Sequence, residues 1–408
     1  MLRVFFRSSD NANSKVPPGM KKLLSDLPDR RPVPEKPKVK TVCLFSGDIT
    51  RCGGTERISI LLANELVRRN DIRVMFLSVN EQAPETFFPL DPRVERFVLY
   101  RRKVRFAPHL LPMIVKLHSF LKRQRVDVLI DVDVILSAVS VFAVTGTACR
   151  LISWEHFHYE ENLGVKLRSF ARNLAKRHAS AIVVLSEDDK RQYMKHRARV
   201  PVVAIPNAIE ENVHSGNEGN DADYPMPQGP FILSVGRLDY QKGFERIPAV
   251  AGELLKTHPA WSWVIVGDGC LRDKIRGEIE ARGLQDRILL TGWKDPFFYY
   301  DRAAFCVMTS RYEGFGLVLL ESLSRSCPVI AFDCKCGPSD IVRDGENGFL
   351  VPAENFALLK EKITLLMDSP DLRKKLADNA KASIRKFSVE SFADRWNKLL
   401  FPEPEGVK

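Results

Sequence analysis

Short β-branched runs alternate with helix-length stretches twice over along this chain, and few folds accommodate that pattern. In the first half the runs are VCLFSG (Val42–Gly47), IRVMFLSV (Ile72–Val79), DVLIDV (Asp127–Val132), RLISW (Arg150–Trp154) and AIVVLS (Ala181–Ser186). Between the first two lies RISILLANELVRR, whose Ile58, Leu61, Leu62, Leu66 and Val67 share one helical face. The second half repeats the alternation with FILSVG (Phe231–Gly236), SWVIVGDG (Ser262–Gly269), RILLTG (Arg287–Gly292), AFCVMTS (Ala304–Ser310) and PVIAFD (Pro328–Asp333). Such alternation produces parallel βαβ units with both sheet faces covered. The segment between the halves, ENVHSGNEGNDADYPMPQGP, has the Gly, Asn, Asp and Pro content of a linker. The expected fold class is therefore α/β, with two doubly wound Rossmann-like domains at 39–208 and 230–387, joined by a linker at 209–229. They face an interdomain cleft at the carboxyl ends of their strands. A closing segment, 388–408, carries a helical pattern from Val389 to Leu400 that can pack back across the first domain.

Residues 1–38 read as a basic, proline-containing extension. MLRVFFRSSDNANSKVPPGM lacks the apolar core and cleavage site of a secretory signal, and Met20 is a second candidate start. No apolar run approaches the ~18–20 residues of a spanning helix. With 45% hydrophobic and 28% charged residues, the chain is neither mainly disordered nor collagen-like. Its eight cysteines read as reduced thiols of a cytoplasmic protein, because Cys334-x-Cys336 fits neither a zinc nor a thioredoxin pattern. No His/Asp/Glu cluster has convincing metal-ligand spacing. The 62 Lys/Arg against 51 Asp/Glu give a formal charge of +11. That excess raises a nucleic-acid-binding reading, but no such motif and no regular aromatic interleave accompany it.

In the second half, SVGRLDYQKGF carries Arg237 and Lys242 just past a strand end, flanked by glycines. A guanidinium and an ammonium so placed can converge on one anion, or can line a solvated basic loop. SRYEGFGLVLLES follows, with Glu313 before a helix and Glu321 on it. The first turn of that helix, around Phe315–Leu317, exposes amides to which glycine permits close approach, a site suited to phosphate. At ~1.5 Å per residue the two carboxylates stand up to about 12 Å apart along the axis. They are too distant for an acid/base pair but suit the two ends of an elongated ligand; two ordinary helix glutamates are the alternative. In the first half, Gly53-Gly54 precedes a helix, with Thr55 as a candidate N-cap.

The run SVGRLDYQKGF, VGDG, TGW, SRYEGFGLVLLES and DGENGFLV resembles the retaining nucleotide-sugar glycosyltransferases of family four, which have the GT-B fold. The resemblance implies that Arg237 and Lys242 bind the donor diphosphate with the backbone at Gly316 and Leu317. It gives Glu313 to the transferred sugar and Glu321 to the ribose. CGGTER resembles the family's GGxER element, which places Gly54 against donor and acceptor; Glu56 and Arg57 themselves read as structural residues. In RLISWEHFHYE the family's donor-facing histidine maps onto His156, with His158 as the competing choice. SWEHFHY further resembles bacterial surface-polysaccharide members. The implied reaction moves a hexosyl or N-acetylhexosaminyl group from a nucleoside diphosphate sugar, UDP being the common choice, to a saccharide or lipid-linked saccharide, with retention and without a metal. A nucleotide-sugar epimerase or phosphorylase of the same fold is the alternative enzyme. Between Arg101 and Arg125 there are eight Lys/Arg and no acid. Within that stretch HLLPMIVKLHSFLKR is amphipathic, as is GVKLRSFARNLAKRH further on. Both suggest either an anionic membrane surface, and hence a peripheral position on the inner face of the plasma membrane, or solvated helix faces.

Overall fold

The computed structural model describes residues 40–69, 71–162, 164–210 and 224–402. The expected basic extension at 1–38 and most of the expected linker (211–223) lie outside the described residues. The first half forms one parallel sheet from β1 (Lys40–Ser46), β2 (Ile72–Ser78), β3 (Glu95–Val98), β4 (Val128–Asp131), β5 (Arg150–Trp154), β6 (Ala181–Val184) and β7 (Val202–Ala204). Its spatial order is β3-β2-β1-β4-β5-β6-β7. The second sheet contains β8 (Phe231–Val235), β9 (Ser262–Val266), β10 (Ile288–Gly292), β11 (Phe305–Met308), β12 (Val329–Asp333) and β13 (Gly348–Pro352), in the order β10-β9-β8-β11-β12-β13. All its paired strands are parallel too.

The sequence pattern predicts five strands per half; the structure adds β3, β7 and β13. All three lie at sheet edges. An edge strand pairs on one side only and needs no long apolar run: β7 has three residues, and no residue of ERFV in β3 is fully buried. In each sheet the chain reverses its direction of travel once, between β1 and β4 and between β8 and β11. Such switch points leave a crevice at the strands' carboxyl ends, and both crevices contribute to the site below.

Six helices matter for that site: α1 (Gly54–Val67), α2 (Leu110–Gln124), α3 (Lys166–His178), α4 (Pro296–Tyr300), α5 (Leu317–Ser324) and α6 (Val389–Leu400). Helix α1 buries Ile58, Leu61, Leu62, Leu66 and Val67, the face its periodicity predicts. One apolar cluster joins side chains of the first sheet and α1 (Val42, Leu62, Trp154) to those of the second sheet and α5 (Phe231, Leu319). Helix α6 enters the same cluster through Phe392, Trp396 and Leu400. It lies against the first domain: the Trp396 ring meets Trp154 edge-on at 4.7 Å, and Arg150 Nη1 donates to the Leu400 carbonyl at 3.0 Å.

Candidate active site between the two sheets

The loop after β8 and the loop after β11 are fastened to each other. Gly236, with φ +152°, leaves room for the Lys242 stem, whose carbons would lie 3.1–3.3 Å from any Cβ there. The Gln241 amide donates to the Tyr312 carbonyl at 3.2 Å, and the Arg311 N–H donates to the Gln241 carbonyl at 2.8 Å. These bonds deliver Lys242 Nζ to Glu313 Oε1 at 2.7 Å, and Ser310 Oγ donates to the same oxygen at 2.5 Å. Both members of the ion pair are nearly enclosed, with side chains 12% and 6% exposed. Arg237 goes elsewhere: its side chain is 66% exposed and lies 3.2 Å from Asp239. The two cations, which the sequence allows to converge on one anion or to line a solvated basic loop, have different partners here: Lys242 the buried Glu313, Arg237 the half-buried Asp239 and, at 3.2 Å, the Gln241 side-chain oxygen.

Glu313 leads through Gly314 into Gly316, which takes a left-handed conformation at the N-cap of α5 and supplies no side-chain cap. The Leu319 N–H donates to the Gly316 carbonyl at 2.9 Å, and no side-chain cap serves the amides before it. At Gly314 the two domains approach closely, since a Cβ there would meet the His156 carbonyl oxygen at 1.9 Å. Nearby, a Cβ on Gly54 would lie 3.1 Å from the Leu317 side chain. Glu321, further along α5, is held on both oxygens. Arg57 Nη1 reaches Oε1 at 2.5 Å, and the Tyr300 hydroxyl from α4 donates to Oε2 at 3.2 Å. Arg57, expected as a structural residue, makes this ion pair with a carboxylate of the other domain. Thr55 is not the N-cap: α1 starts two residues earlier than that would require, with Gly53 at the N-cap position, and Glu56 folds back to Arg51 at 2.8 Å.

His156 follows β5 and packs on the Trp154 ring at 4.5 Å. Its side chain is buried, and Nε2 has no hydrogen-bond partner among the described residues. Burial pushes its pKa down to about 4; the Arg168 charge reinforces this and the Asp133 carboxylate opposes it. A neutral imidazole with an uncommitted nitrogen can accept from or donate to a sugar hydroxyl. His158 differs: its Nδ1 accepts from the Glu160 N–H at 3.3 Å and its Nε2 lies 3.7 Å from Asp188. Of the two, His156 is the one with a buried nitrogen lacking a hydrogen-bond partner among the described residues.

The loop bearing both histidines rests on a buried charge network that sequence reasoning missed. Glu155 is fully buried, and its Oε2 accepts from Arg172 Nε at 2.6 Å and from the Tyr193 hydroxyl at 3.0 Å. Arg172 donates further to the carbonyls of Tyr159, His158 and Glu161. Arg168, one turn earlier on α3, pairs with Asp133 at 2.8 Å. On α3, Arg168, Arg172 and Lys176 are buried, while Lys166, Phe170 and Arg177 stay exposed. Among the described residues no group of three His, Cys, Asp or Glu side chains could hold a metal ion.

The buried His156 makes stability depend on pH. Its folded pKa of about 4 lies below the ordinary value of about 6.5, so the unfolded chain takes up the proton first as the pH falls. The contribution is intact above about pH 6.5 and is lost as the pH drops toward 4. Between pH 7 and pH 5 the melting temperature should fall further for the wild type than for His156→Gln. Equal falls would contradict a buried, neutral imidazole.

The family described as "Glycosyltransferase Family 4" matches residues 52–213, and that described as "Glycosyl transferases group 1" matches residues 221–383. The chain is 28% identical over 372 residues to an amylovoran biosynthesis glycosyltransferase of Erwinia amylovora, covering 88% of this chain and 99% of that one. It is 26% identical over 353 residues to a Campylobacter jejuni N-acetyl-D-galactosaminyltransferase whose name carries a PP-undecaprenol-linked GalNAc acceptor, covering 85% and 95%. Among solved structures, the Anabaena protein HepE in complex with UDP and glucose superposes with a TM-score of 0.72 at 19% identity, covering 88% of this chain and 99% of that one. With both halves matched and the two-sheet architecture shared, the chain belongs to the family-four glycosyltransferases and has the GT-B fold.

Proposed function

We propose that the chain transfers a hexosyl or N-acetylhexosaminyl group from a UDP-sugar to a lipid-linked saccharide in bacterial surface-polysaccharide synthesis, with retention at the anomeric carbon. The observation that carries this reading is the grouping at α5: an uncapped helix N-terminus flanked by two buried carboxylates, Glu313 before it and Glu321 along it. In this reading the diphosphate sits on the amides of Gly316 and Leu317, beside Lys242. Charge that builds on the leaving diphosphate meets donors already in place, which lowers the barrier by electrostatic preorganisation. Arg237 leaves Asp239 to join them. Glu313 and His156 orient the transferred sugar, Glu321 accepts from the ribose, and Gly54 closes the donor side against Leu317. Glu313 starts paired with Lys242, so the incoming phosphate and sugar divide the pair between them. UDP in the HepE complex and the undecaprenol-linked acceptor in the Campylobacter relative's name support the choice of substrates.

Helix α2 supports a place at an anionic membrane. It exposes Leu111 (73%) and Val115 (67%) one turn apart, with Lys116, Lys122 and Arg123 also exposed. Arg101, Arg102, Lys103 and Arg105 are exposed just before it. An apolar stripe rimmed by cations fits the interface of an anionic leaflet, each charge contributing about 1 kcal/mol near the surface. No helix among the described residues is long and apolar enough to cross a membrane.

Lys242→Ala should weaken UDP binding by about tenfold or more, the loss of one charge-assisted contact, in calorimetric titration. Glu313→Ala should cut kcat by more than UDP affinity; unchanged turnover would remove Glu313 from the site. The protein should sediment with phosphatidylglycerol vesicles at low salt, and replacing Leu111 and Val115 by serine should release it. Failure of the wild type to sediment would end the membrane reading.

A further inference from the structure

The ion pair between Arg57 and Glu321 joins residues 264 positions apart, from different domains. Neither side chain is more than 18% exposed. Arg57 also lies over the Phe297 ring of α4, its guanidinium carbon 5.7 Å from the centroid. The same short helix supplies Tyr300, whose hydroxyl takes the other oxygen of Glu321. Arg57 thus touches both helices that frame Glu321. Its own backbone is fixed: its N–H donates to the Gly53 carbonyl at 3.0 Å, and Glu56 beside it is tied to Arg51.

We infer that Arg57 is a positioning residue for the donor, through which the first domain sets the carboxylate that reads the ribose. The inference rests on the ribose role proposed for Glu321. An ionised carboxylate offers about four acceptor sites. Arg57 uses one on Oε1 and Tyr300 one on Oε2, which leaves one on each oxygen for two vicinal hydroxyls. The guanidinium therefore remains in place when nucleotide binds. It compensates a charge that would otherwise be buried without a cation, and it fixes the carboxylate's rotation. Because Arg57 stands on α1, the nucleotide site is complete only when the two domains are together, so donor affinity includes their closure.

A double-mutant cycle on the full-length protein tests this, with UDP affinity read by calorimetry and donor and acceptor KM by initial rates. Arg57→Ala should weaken UDP and raise donor KM by about tenfold, the scale of one charge-assisted bond, while acceptor KM changes by less than about twofold. In an Glu321→Ala background the same substitution should have almost no further effect on UDP. Arg57→Lys should fall between wild type and alanine, and it replaces the alanine variant if that one does not fold. UDP binding that is unchanged or tighter in Arg57→Ala, or a loss that adds in full to that of Glu321→Ala, would overturn the inference and leave the role of Glu321 standing. Glu321→Ala without effect on UDP would overturn the ribose role, and the inference with it.

Discussion

A carboxylate withdrawn from water must be given a cation or hydrogen-bond donors, and that requirement organises this cleft. Glu313 and Glu321 are 5% and 7% exposed, and an unpartnered charge at such depth would cost several kcal/mol. Each receives a cation and a hydroxyl: Lys242 with Ser310 for the first, Arg57 with Tyr300 for the second. Meeting the first need ties the loop after β8 to the loop after β11. Meeting the second brings the first domain onto α5. The absence of a side chain at Gly314 and Gly54 lets the two backbones come close enough for those bonds to form.

A similar rule acts inside the first domain with a different outcome. Glu155 is fully buried beneath the His156 loop, and α3 turns Arg172 inward to meet it, with Arg168 alongside on Asp133. Arg168, Arg172 and Lys176 are therefore consumed in holding a loop, while Lys166 and Arg177 stay exposed. Helix α2 carries no acid of its own, and its lysines and arginines remain outside with Leu111 and Val115. Two helices of similar composition thus do opposite jobs, one bracing the site and one presenting a surface.

Residues that act near each other in sequence were the legible ones. The glycines and glutamates from Glu313 to Glu321 share one loop and helix, so their spacing already implied a helix tip between two acids. Central strands were legible because burial on both faces demands continuous apolar runs, whereas β3, β7 and β13, at the edges, face no such demand. Arg57 was illegible for a physical reason: its partner is on the other domain, and only the closed cleft reveals which carboxylate it serves. Helical periodicity likewise identified a polar face on α3 but not its direction, which depends on Glu155.

The most direct measurement is a crystal structure of the protein soaked with UDP. The account places the diphosphate on the first turn of α5 within hydrogen-bond distance of Lys242, the ribose hydroxyls on Glu321, and Arg57 still on that carboxylate. Nucleotide bound at the carboxyl ends of β1 and β4 instead, or against α5 with Glu321 turned away, would contradict it.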